Sequence, residues 1–250
     1  GNPNVSPFSF FNIFSTNPPI LIFSPARRVR NNTTKHTLEN ILATGEVVIN
    51  VVNYDIVQQT SLASTEYPEG VNEFIKAGFK MLKSTLVKPF RVAESPVQFE
   101  CRVNEVIPLG KEGGAGNLVI AEILCMHIDE ACLDENGNID QQKLDLVARA
   151  GGNYYSRARE GFFSIPKPLQ TLGIGIDQLP ESVQKSQILS GNELAQLGNA
   201  EELPSPDDVN KFLKENPDFA GMNLTEMHIF AKELIRKNDI ESALKVLFIK

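Results

Sequence analysis

Residues 6–40 decide the fold, and they read SPFSFFNIFSTNPPILIFSPARRVRNNTTKHTLEN. A hydroxyl-rich extended run leads through Pro18-Pro19 into an apolar strand from Ile20 to Phe23. A basic loop follows, and apolar residues at helical spacing then predict a helix that ends near Gly45, since glycine is the usual C-terminal stop. The stretch therefore predicts strand, basic loop and helix in succession.

The basic loop is the first candidate functional feature. Its four cationic side chains, Arg27, Arg28, Arg30 and Lys35, come just before the predicted helix start. A helix N-terminus offers unpaired backbone N–H groups and the positive end of the dipole, both of which favour a phosphate. The loop therefore predicts an anion site, although a solvated charged loop is equally compatible with the position alone.

The composition excludes several classes of partner. With 250 residues the chain can form one large domain or a domain with an appendage, and its net charge of −7 argues against a nucleic-acid partner.

No apolar run is long enough to span a membrane and no signal peptide is visible, so we expect a cytoplasmic protein. The opening Gly1-Asn2-Pro3-Asn4 is typical of a hairpin turn, and we expect a strand before Gly1.

Cysteine and histidine give no catalytic or metal-binding pattern. The three cysteines lack metal-ligand spacing, which fits buried thiols in a reducing compartment. The histidines are equally scattered, and we expect His127, inside a strand, to be hydrogen-bonded rather than a ligand. The glycines of residues 110–116 connect strand to strand, which predicts a hairpin, because a phosphate-binding loop should open a helix. Any redox chemistry therefore belongs to a cofactor.

A second motif, VARAGGNYY, occupies residues 147–155 and follows a strand that ends in His127-Ile128-Asp129. Its paired glycines have no side chains, so another group can lie close to the backbone at this point. Arg149 lies either at the mouth of a cofactor pocket or in an ion pair with a buried carboxylate, and both interpretations stay open.

The ordered motifs resemble the flavin reductase-like, FMN-binding split-barrel family across residues 2–168. The shared features are the Ser/Asn-rich strand, the Pro-Pro break, the apolar strand, the Lys-x-Thr helix start and the Val-Ala-Arg-x-Gly-Gly-x-x-Tyr motif. One position departs from the family pattern: His36 stands where the family has Asp, and an imidazolium suits a helix N-terminus less well than a carboxylate does.

The resemblance implies a mainly β fold with helices, namely a six-stranded Greek-key split β-barrel that binds flavin near the interface of a homodimer. We assign this domain to residues 1–168 and a helical C-terminal extension to residues 169–250. Gly, Pro and Asn stops divide the extension into four predicted helices, at residues 178–198, 206–215, 224–237 and 239–248.

The resemblance also implies a set of cofactor-binding residues. The residues matching flavin contacts are Ser9, Asn12, Ser15 and Thr16, those matching phosphate contacts are Ser24, Lys35 and Thr37, and Arg149 belongs to the second motif. The implied cofactor is FMN, with FAD as a second choice, and the implied electron donor is NADH or NADPH. No catalytic side chain and no metal are expected.

The function implied by the resemblance is that of an NAD(P)H:flavin oxidoreductase, which passes electrons to flavin or to an acceptor such as an oxygenase partner. The alternative is a non-enzymatic, flavoredoxin-like FMN electron carrier that docks a partner protein. A third interpretation is a barrel that has lost its cofactor and serves as a scaffold, which only His36 supports.

Overall fold

The structure, a computed structural model, describes residues 3–165 and 172–249. The chain divides into two compact units, Gly1–Phe163 and Ser164–Lys250. The expected domain boundary at Pro166 to Pro168 lies outside the described residues, as do the first two residues of the expected N-terminal turn. Each unit is described by itself.

Unit 1 is built on strands with four helices. The strands are β1 (Phe11–Thr16), β2 (Pro19–Phe23), β3 (Glu46–Asn50), β4 (Met81–Leu82), β5 (Arg91–Val92), β6 (Val97–Pro108), β7 (Asn117–Ile128), β8 (Val147–Gly151) and β9 (Tyr154–Arg157). The helices are α1 (His36–Thr44), α2 (Val57–Leu62), α3 (Glu73–Ala77) and α4 (Gln141–Leu144).

The main sheet is antiparallel and has the strand order β1-β2-β7-β6-β3. Two further pairs, β4 with β5 and β8 with β9, form separate two-stranded sheets. The described residues thus supply five strands of the main sheet, and the sixth strand and the closed barrel stay predictions. An antiparallel sheet accompanied by helices is as expected, although the described residues have a mixed α/β character and are not mainly β.

The larger of the two hydrophobic clusters of unit 1 is formed by the main sheet and α1. Leu38 and Ile41 of α1 are buried, together with inward-facing residues of the sheet. The sheet residues of this core are Leu21, Phe23, Val47, Val97, Phe99, Cys101, Val119 and Ala121. Helix α1 ends as predicted, because Gly45 adopts a left-handed φ of 68° and donates its N–H to the Ile41 carbonyl at 2.8 Å.

Unit 2 is helical, as expected. Its helices are α5 (Glu181–Gln184), α6 (Gly191–Gly198), α7 (Pro206–Glu215), α8 (Leu224–Arg236) and α9 (Ile240–Leu247). The single helix predicted for residues 178–198 is wrong. Ser186 Oγ accepts N–H groups from Ile188 and Leu189, both at 3.1 Å, and Ser190 then starts a new helix with a capping box. No helix in the described part of the chain is long and apolar enough to cross a membrane.

A buried carboxylate fixes the segment before β5 to the main sheet. Glu100 of β6 is fully buried and accepts backbone N–H groups from Thr85 at 2.8 Å and Leu86 at 2.6 Å. Its Oε1 lies 2.7 Å from His127 Nε2 on β7. Burial alone would raise the pKa of Glu100, but the backbone donors and the His127 ring outweigh it and lower the pKa to about 2. His127 is therefore hydrogen-bonded, as expected.

The short hairpin of β8 and β9 is held by an ion pair on its second strand. Arg157 donates to the buried Asp145 from Nε at 2.8 Å and from Nη2 at 2.6 Å, and its guanidinium lies 3.8 Å from the centre of the Tyr54 ring. Arg149 donates instead to the Gly152 carbonyl at 3.0 Å. The buried carboxylate considered for Arg149 is thus bound by Arg157.

We expect Glu100→Gln to remove an acid-sensitive part of the stability of unit 1. Because the pKa of Glu100 is lowered from 4.5 to about 2, its ionisation stabilises the fold above pH 4.5 and this contribution is lost as the pH falls toward 2. The shift corresponds to roughly 3–4 kcal/mol at neutral pH. Urea unfolding at pH 7 and pH 3 tests this, and tyrosine fluorescence reports on unit 1 alone because all four tyrosines lie there and the chain has no tryptophan.

The matched control for this experiment is Glu122→Gln. Glu122 pairs with Arg102, whose side chain is 61% exposed, so its loss should have little effect. An equal difference in stability between pH 7 and pH 3 in the wild type and in Glu100→Gln would contradict the assignment.

We expect Arg157→Ala to destabilise unit 1 more than Arg149→Ala does. The first substitution leaves the buried Asp145 carboxylate with only Arg159, whose Nη1 lies 4.0 Å away, whereas the second removes one hydrogen bond at an exposed turn. The measurement is the urea midpoint of each variant by tyrosine fluorescence. Equal midpoints would show that the Arg157 ion pair does not hold the hairpin.

Candidate functional site

A small pocket lies at the N-terminus of α1, where the sequence predicted an anion site. Its volume is about 30 Å³. Arg28, Lys35 and Thr37 line it together. The remaining lining residues are Asn4, Ser6, His36, Ala63, Ser64, Thr65, Glu66, Tyr67 and Glu73.

The first turn of α1 is open toward this pocket. Lys35 occupies the N-cap position, and its side chain makes no capping hydrogen bond. The first N–H groups of the helix therefore have no side-chain acceptor at the cap, which is the arrangement that binds anions. The Thr37 hydroxyl is held in place by Asn4, whose Nδ2 donates to Thr37 Oγ1 at 2.7 Å.

The Lys35 ammonium is partly buried beside another cation. Its Nζ lies 5.1 Å from the centre of the Phe8 ring, and Phe8 packs on Phe23 of β2. Burial lowers the pKa of Lys35, the neighbouring Arg28 lowers it further, and Glu66 offsets part of the effect. An anion in the pocket would relieve this repulsion, so the charge arrangement favours one.

Arg28 is fixed by its own loop. Its Nη1 donates to Thr33 Oγ1 at 3.1 Å and to the Thr34 carbonyl, and its Nε lies 3.7 Å from Glu66 Oε1. The guanidinium therefore reaches the pocket in one defined orientation. Glu66 and Glu73 also line the pocket, so it contains carboxylates as well as cations.

The glycine-rich turn between β6 and β7 is hydrogen-bonded to the basic loop and packs against it. Arg27 donates its N–H to the Ala115 carbonyl at 2.8 Å, and Gly114 donates to the Arg27 carbonyl at 3.0 Å. A Cβ at Gly113 would lie 3.0 Å from the Cα and carbonyl oxygen of Val29, so only glycine allows this approach. The residues 110–116 thus connect two strands, as predicted, and they position the loop rather than a phosphate.

The polar residues of β1 lie on an edge strand of the main sheet. Ser9, Asn12 and Thr16 are exposed and Ser15 is half-buried. The Asn12 side chain accepts the N–H of Ile13 at 2.8 Å, and the pairing with β2 shifts between Ile13 and Ser15. In the part of the chain that the structure describes, none of these four residues lines the α1 pocket. They form an accessible polar edge that follows the Asn4 to Ser6 segment in the chain.

Ser24 and Arg149 are placed away from the pocket. Ser24 is half-buried, donates its N–H to the Phe10 carbonyl at 3.0 Å, and lies so close to Gly116 that a Cβ there would approach its Oγ to 2.5 Å. Arg149 is exposed on β8. Within residues 3–165 neither of them lines the pocket, so of the predicted phosphate ligands only Lys35 and Thr37 meet there.

Sequence reasoning missed Asn4, Glu66 and Glu73 as pocket residues. Asn4 was considered only as part of a turn, and Glu66 and Glu73 fall in a segment without a chemical motif. Their approach to α1 is a tertiary contact across some thirty residues of chain, which local patterns do not encode. Their polar character was the only available signal.

Cys125 and His127 are close together but are not arranged as a nucleophile with its base. Cys125 Sγ lies 3.6 Å from His127 Nε2, but the same nitrogen is already hydrogen-bonded to Glu100. A base for Cys125 would need that nitrogen free and the other one oriented by the carboxylate. No group of three or more metal-ligating side chains exists among the described residues either.

Comparison with known proteins places this architecture in a family. A model of the flavin reductase like domain matches residues 1–147. An uncharacterized protein of Aquifex aeolicus is 36% identical over 155 residues, which are 62% of this chain and 76% of that protein.

Solved structures resemble the same part of the chain. Nitrilotriacetate monooxygenase component B from Bacillus cereus is similar at a TM-score of 0.59 and 26% identity, over 64% of this chain and 79% of that one. A Shewanella frigidimarina protein described as a flavin reductase with a split barrel domain is similar at a TM-score of 0.56 and 28% identity, over 66% and 78% of the two chains. Since the family match covers more than half of its residues, this chain belongs to the flavin reductase-like domain family.

Proposed function

We propose that the protein binds FMN and uses it to transfer reducing equivalents from NADH or NADPH to a second flavin or to a downstream acceptor. Family membership supports a flavin-related redox role. The observation that carries the proposal is the pocket at the open N-terminus of α1, where Arg28, Lys35 and Thr37 meet.

The pocket residues fit the phosphate of FMN. Two cationic side chains, one hydroxyl and the first N–H groups of α1 are together suited to several charge-assisted hydrogen bonds. The pocket is small and is bordered by the carboxylates of Glu66 and Glu73, which suits one terminal phosphate better than the two linked phosphates of FAD. We therefore favour FMN over FAD.

The edge strand β1 is the proposed contact for the flavin ring. Asn12 and Thr16 are exposed there, and Phe8 connects the pocket to the sheet by lying between Lys35 and Phe23. A bound flavin supplies the hydride and electron chemistry, so the protein is left to bind, orient and tune it. This is consistent with the described residues, among which no nucleophile is paired with a free base.

We further propose that the protein is a homodimer that associates through the β1 edge. This strand and the residue before it expose large apolar side chains, with Phe10 at 69%, Ile13 at 49% and Phe14 at 64%. Exposed apolar patches of this kind mark association surfaces. The name of the Bacillus cereus relative, component B of a monooxygenase, supports an oxygenase as one acceptor.

We expect Lys35→Ala to weaken FMN binding about ten- to one-hundred-fold, because a charge-assisted hydrogen bond to the phosphate is lost. Lys111→Ala, in the exposed glycine-rich hairpin, is the matched control and should bind as the wild type does. The measurement is FMN titration by flavin fluorescence, followed by NADH and NADPH oxidation by the loaded wild type. Failure of the wild type to bind FMN would refute the proposal.

The turnover measurement separates the enzyme from its alternative. Oxidation of either nicotinamide above the rate with free FMN supports the oxidoreductase. Tight FMN binding with no direct nicotinamide oxidation would identify the electron carrier instead.

We expect Phe14→Lys to shift the protein toward the monomer, because a charge would be desolvated in the proposed interface. Sedimentation velocity over a range of concentrations measures the shift. Leu42→Lys, on the exposed side of α1 at 65% exposure, is the control. A wild type that stays monomeric at all concentrations, or a Phe14→Lys variant that associates unchanged, would contradict the assignment of this interface.

A further inference from the structure

A buried histidine of unit 2 is hydrogen-bonded to a serine that shapes the next turn of the chain. His228 of α8 is 6% exposed, and its Nδ1 lies 2.9 Å from Ser186 Oγ. The same Oγ accepts the backbone N–H groups of Ile188 and Leu189, both at 3.1 Å. These contacts fix the turn of residues 186–190, here called the Ser186 turn, and attach it to α8.

The hydrogen-bond count at Ser186 decides where the proton of His228 lies. A hydroxyl has one O–H donor and two acceptor lone pairs. Both lone pairs of Ser186 Oγ are occupied by backbone N–H groups, so its O–H must donate to Nδ1 of the ring. The imidazole is therefore neutral and carries its one proton on Nε2, which is buried and has no hydrogen-bond partner within the described residues.

A second proton on the ring does not fit this arrangement. Protonated Nδ1 would be a donor that faces a hydroxyl with no free lone pair, inside a buried site. The bond to His228 or one of the two N–H bonds must then be lost. We propose that protonation of His228 opens the Ser186 turn, which makes this turn a pH-sensitive conformational switch in unit 2.

Burial sets the direction of the switch. It lowers the pKa of His228 in the closed form, whereas a ring released by opening has an ordinary pKa of about 6.5. Below that pH the open form binds one proton more than the closed form does. The closed form is therefore fully favoured above about pH 6.5 and loses this advantage as the pH falls below it.

Opening of the turn would expose apolar surface. Leu189 is 5% exposed and belongs to a buried cluster of unit 2 together with Val183 and Leu197. Ser190, the next residue, caps the N-terminus of α6. Opening the Ser186 turn therefore makes part of this cluster accessible beside the start of α6.

The charged pair nearest the turn does not titrate in the same range. Lys232, one helical turn after His228, donates to the Ile188 carbonyl at 2.7 Å, and its Nζ lies 3.3 Å from Glu193 Oε2. Burial would raise the pKa of Glu193, but hydrogen bonds from Ser190 and Lys232 outweigh it and lower the pKa. Glu193 and Lys232 therefore keep their charges while the histidine titrates.

The other charged groups around α8 are engaged elsewhere or exposed. Glu181 pairs with Lys185 before the turn, and Glu241 pairs with Lys245 on α9, both at 2.5 Å. Asp218, on the short helical turn Pro217–Gly221, is exposed, as are the remaining charged residues of α8. Among the described residues none of these groups is hydrogen-bonded or ion-paired with the His228 ring.

The first test determines the tautomer of His228 in the full chain. Two-bond ¹H–¹⁵N NMR spectra at pH 8 should show no proton on Nδ1 and one proton on Nε2. The His228→Asn spectrum, which lacks these signals, assigns them. A proton on Nδ1 at pH 8 would overturn the inference.

The second test measures opening of the turn by amide hydrogen exchange at Ile188 and Leu189, corrected for the intrinsic exchange rate at each pH. Their opening constant in the wild type should rise about tenfold from pH 8 to pH 5.5, as expected for a ring that titrates near 6.5 only in the open form. His228→Asn keeps an acceptor close to the Nδ1 position but does not titrate, so its constant should change less than about twofold. His36→Asn, in unit 1, is the matched control and should keep the tenfold rise.

Each contrary result would overturn the switch. A constant value in the wild type shows that protonation does not open the turn, and a rise that persists in His228→Asn shows that another group opens it. Equal opening constants for Leu189 and for Ala243 in α9 would show that the turn opens only when all of unit 2 unfolds. The tautomer and the wild-type exchange need no variant, so they decide the question even if His228→Asn does not fold.

Discussion

Unit 1 depends on the antiparallel pairing of β6 with β7. These are the two longest strands, they pair from Val97 with Ile128 to Pro108 with Asn117, and each carries one neighbour, β3 on one side and β2 on the other. The side chains of Cys101, Val119 and Ala121 are completely buried along this pairing. Burial also raises the pKa of Cys101 to about 12, with Glu100 adding to the effect, so this thiol is an unreactive part of the core.

The geometry of the candidate site depends on the same hairpin. The turn that joins β6 to β7 packs on the basic loop through Gly113 and Gly114, and the loop in turn directs Arg28 toward α1. The other wall of the pocket comes from the start of the chain, where Asn4 holds the Thr37 hydroxyl. The candidate site is therefore assembled from segments that are far apart in the chain, and its cations are placed by tertiary contacts as well as by the helix.

The sequence was sufficient where structure is encoded locally. Apolar spacing and Gly45 predicted α1. Alternating apolar residues before the glycine-rich turn predicted β6, and apolar residues on both faces after it predicted β7. Lys35 was predicted from the basic loop before the helix, and Thr37 from the family resemblance. Both lie at the start of α1, where position in sequence fixes position in space.

Prediction was weaker wherever strand register or chain folding decides the outcome. Arg149 and Arg157 lie on the two strands of one hairpin, and only the register, with its irregularity between Arg149 and Gly151, shows that Arg157 reaches Asp145. Glu73 has no sequence signal as a pocket residue, since its place at the pocket depends on where α3 packs. The break before α6 was missed because Ser186 and Ser190 accept backbone N–H groups within a stretch that the Gly, Pro and Asn stops predicted as one helix.

The capping boxes of unit 2 have a consequence for how the chain folds. Ser190, Ser205 and Asn223 each fix a helix start through hydrogen bonds to a residue only three positions later. In unit 1, by contrast, β2 pairs with β7, which lies about one hundred residues later in the chain. Folding rates fall as contacts become more distant in sequence. During synthesis the slower unit emerges first, and β2 has no strand to pair with on its inner side until β7 has been made, so its edge stays open to other chains for that interval.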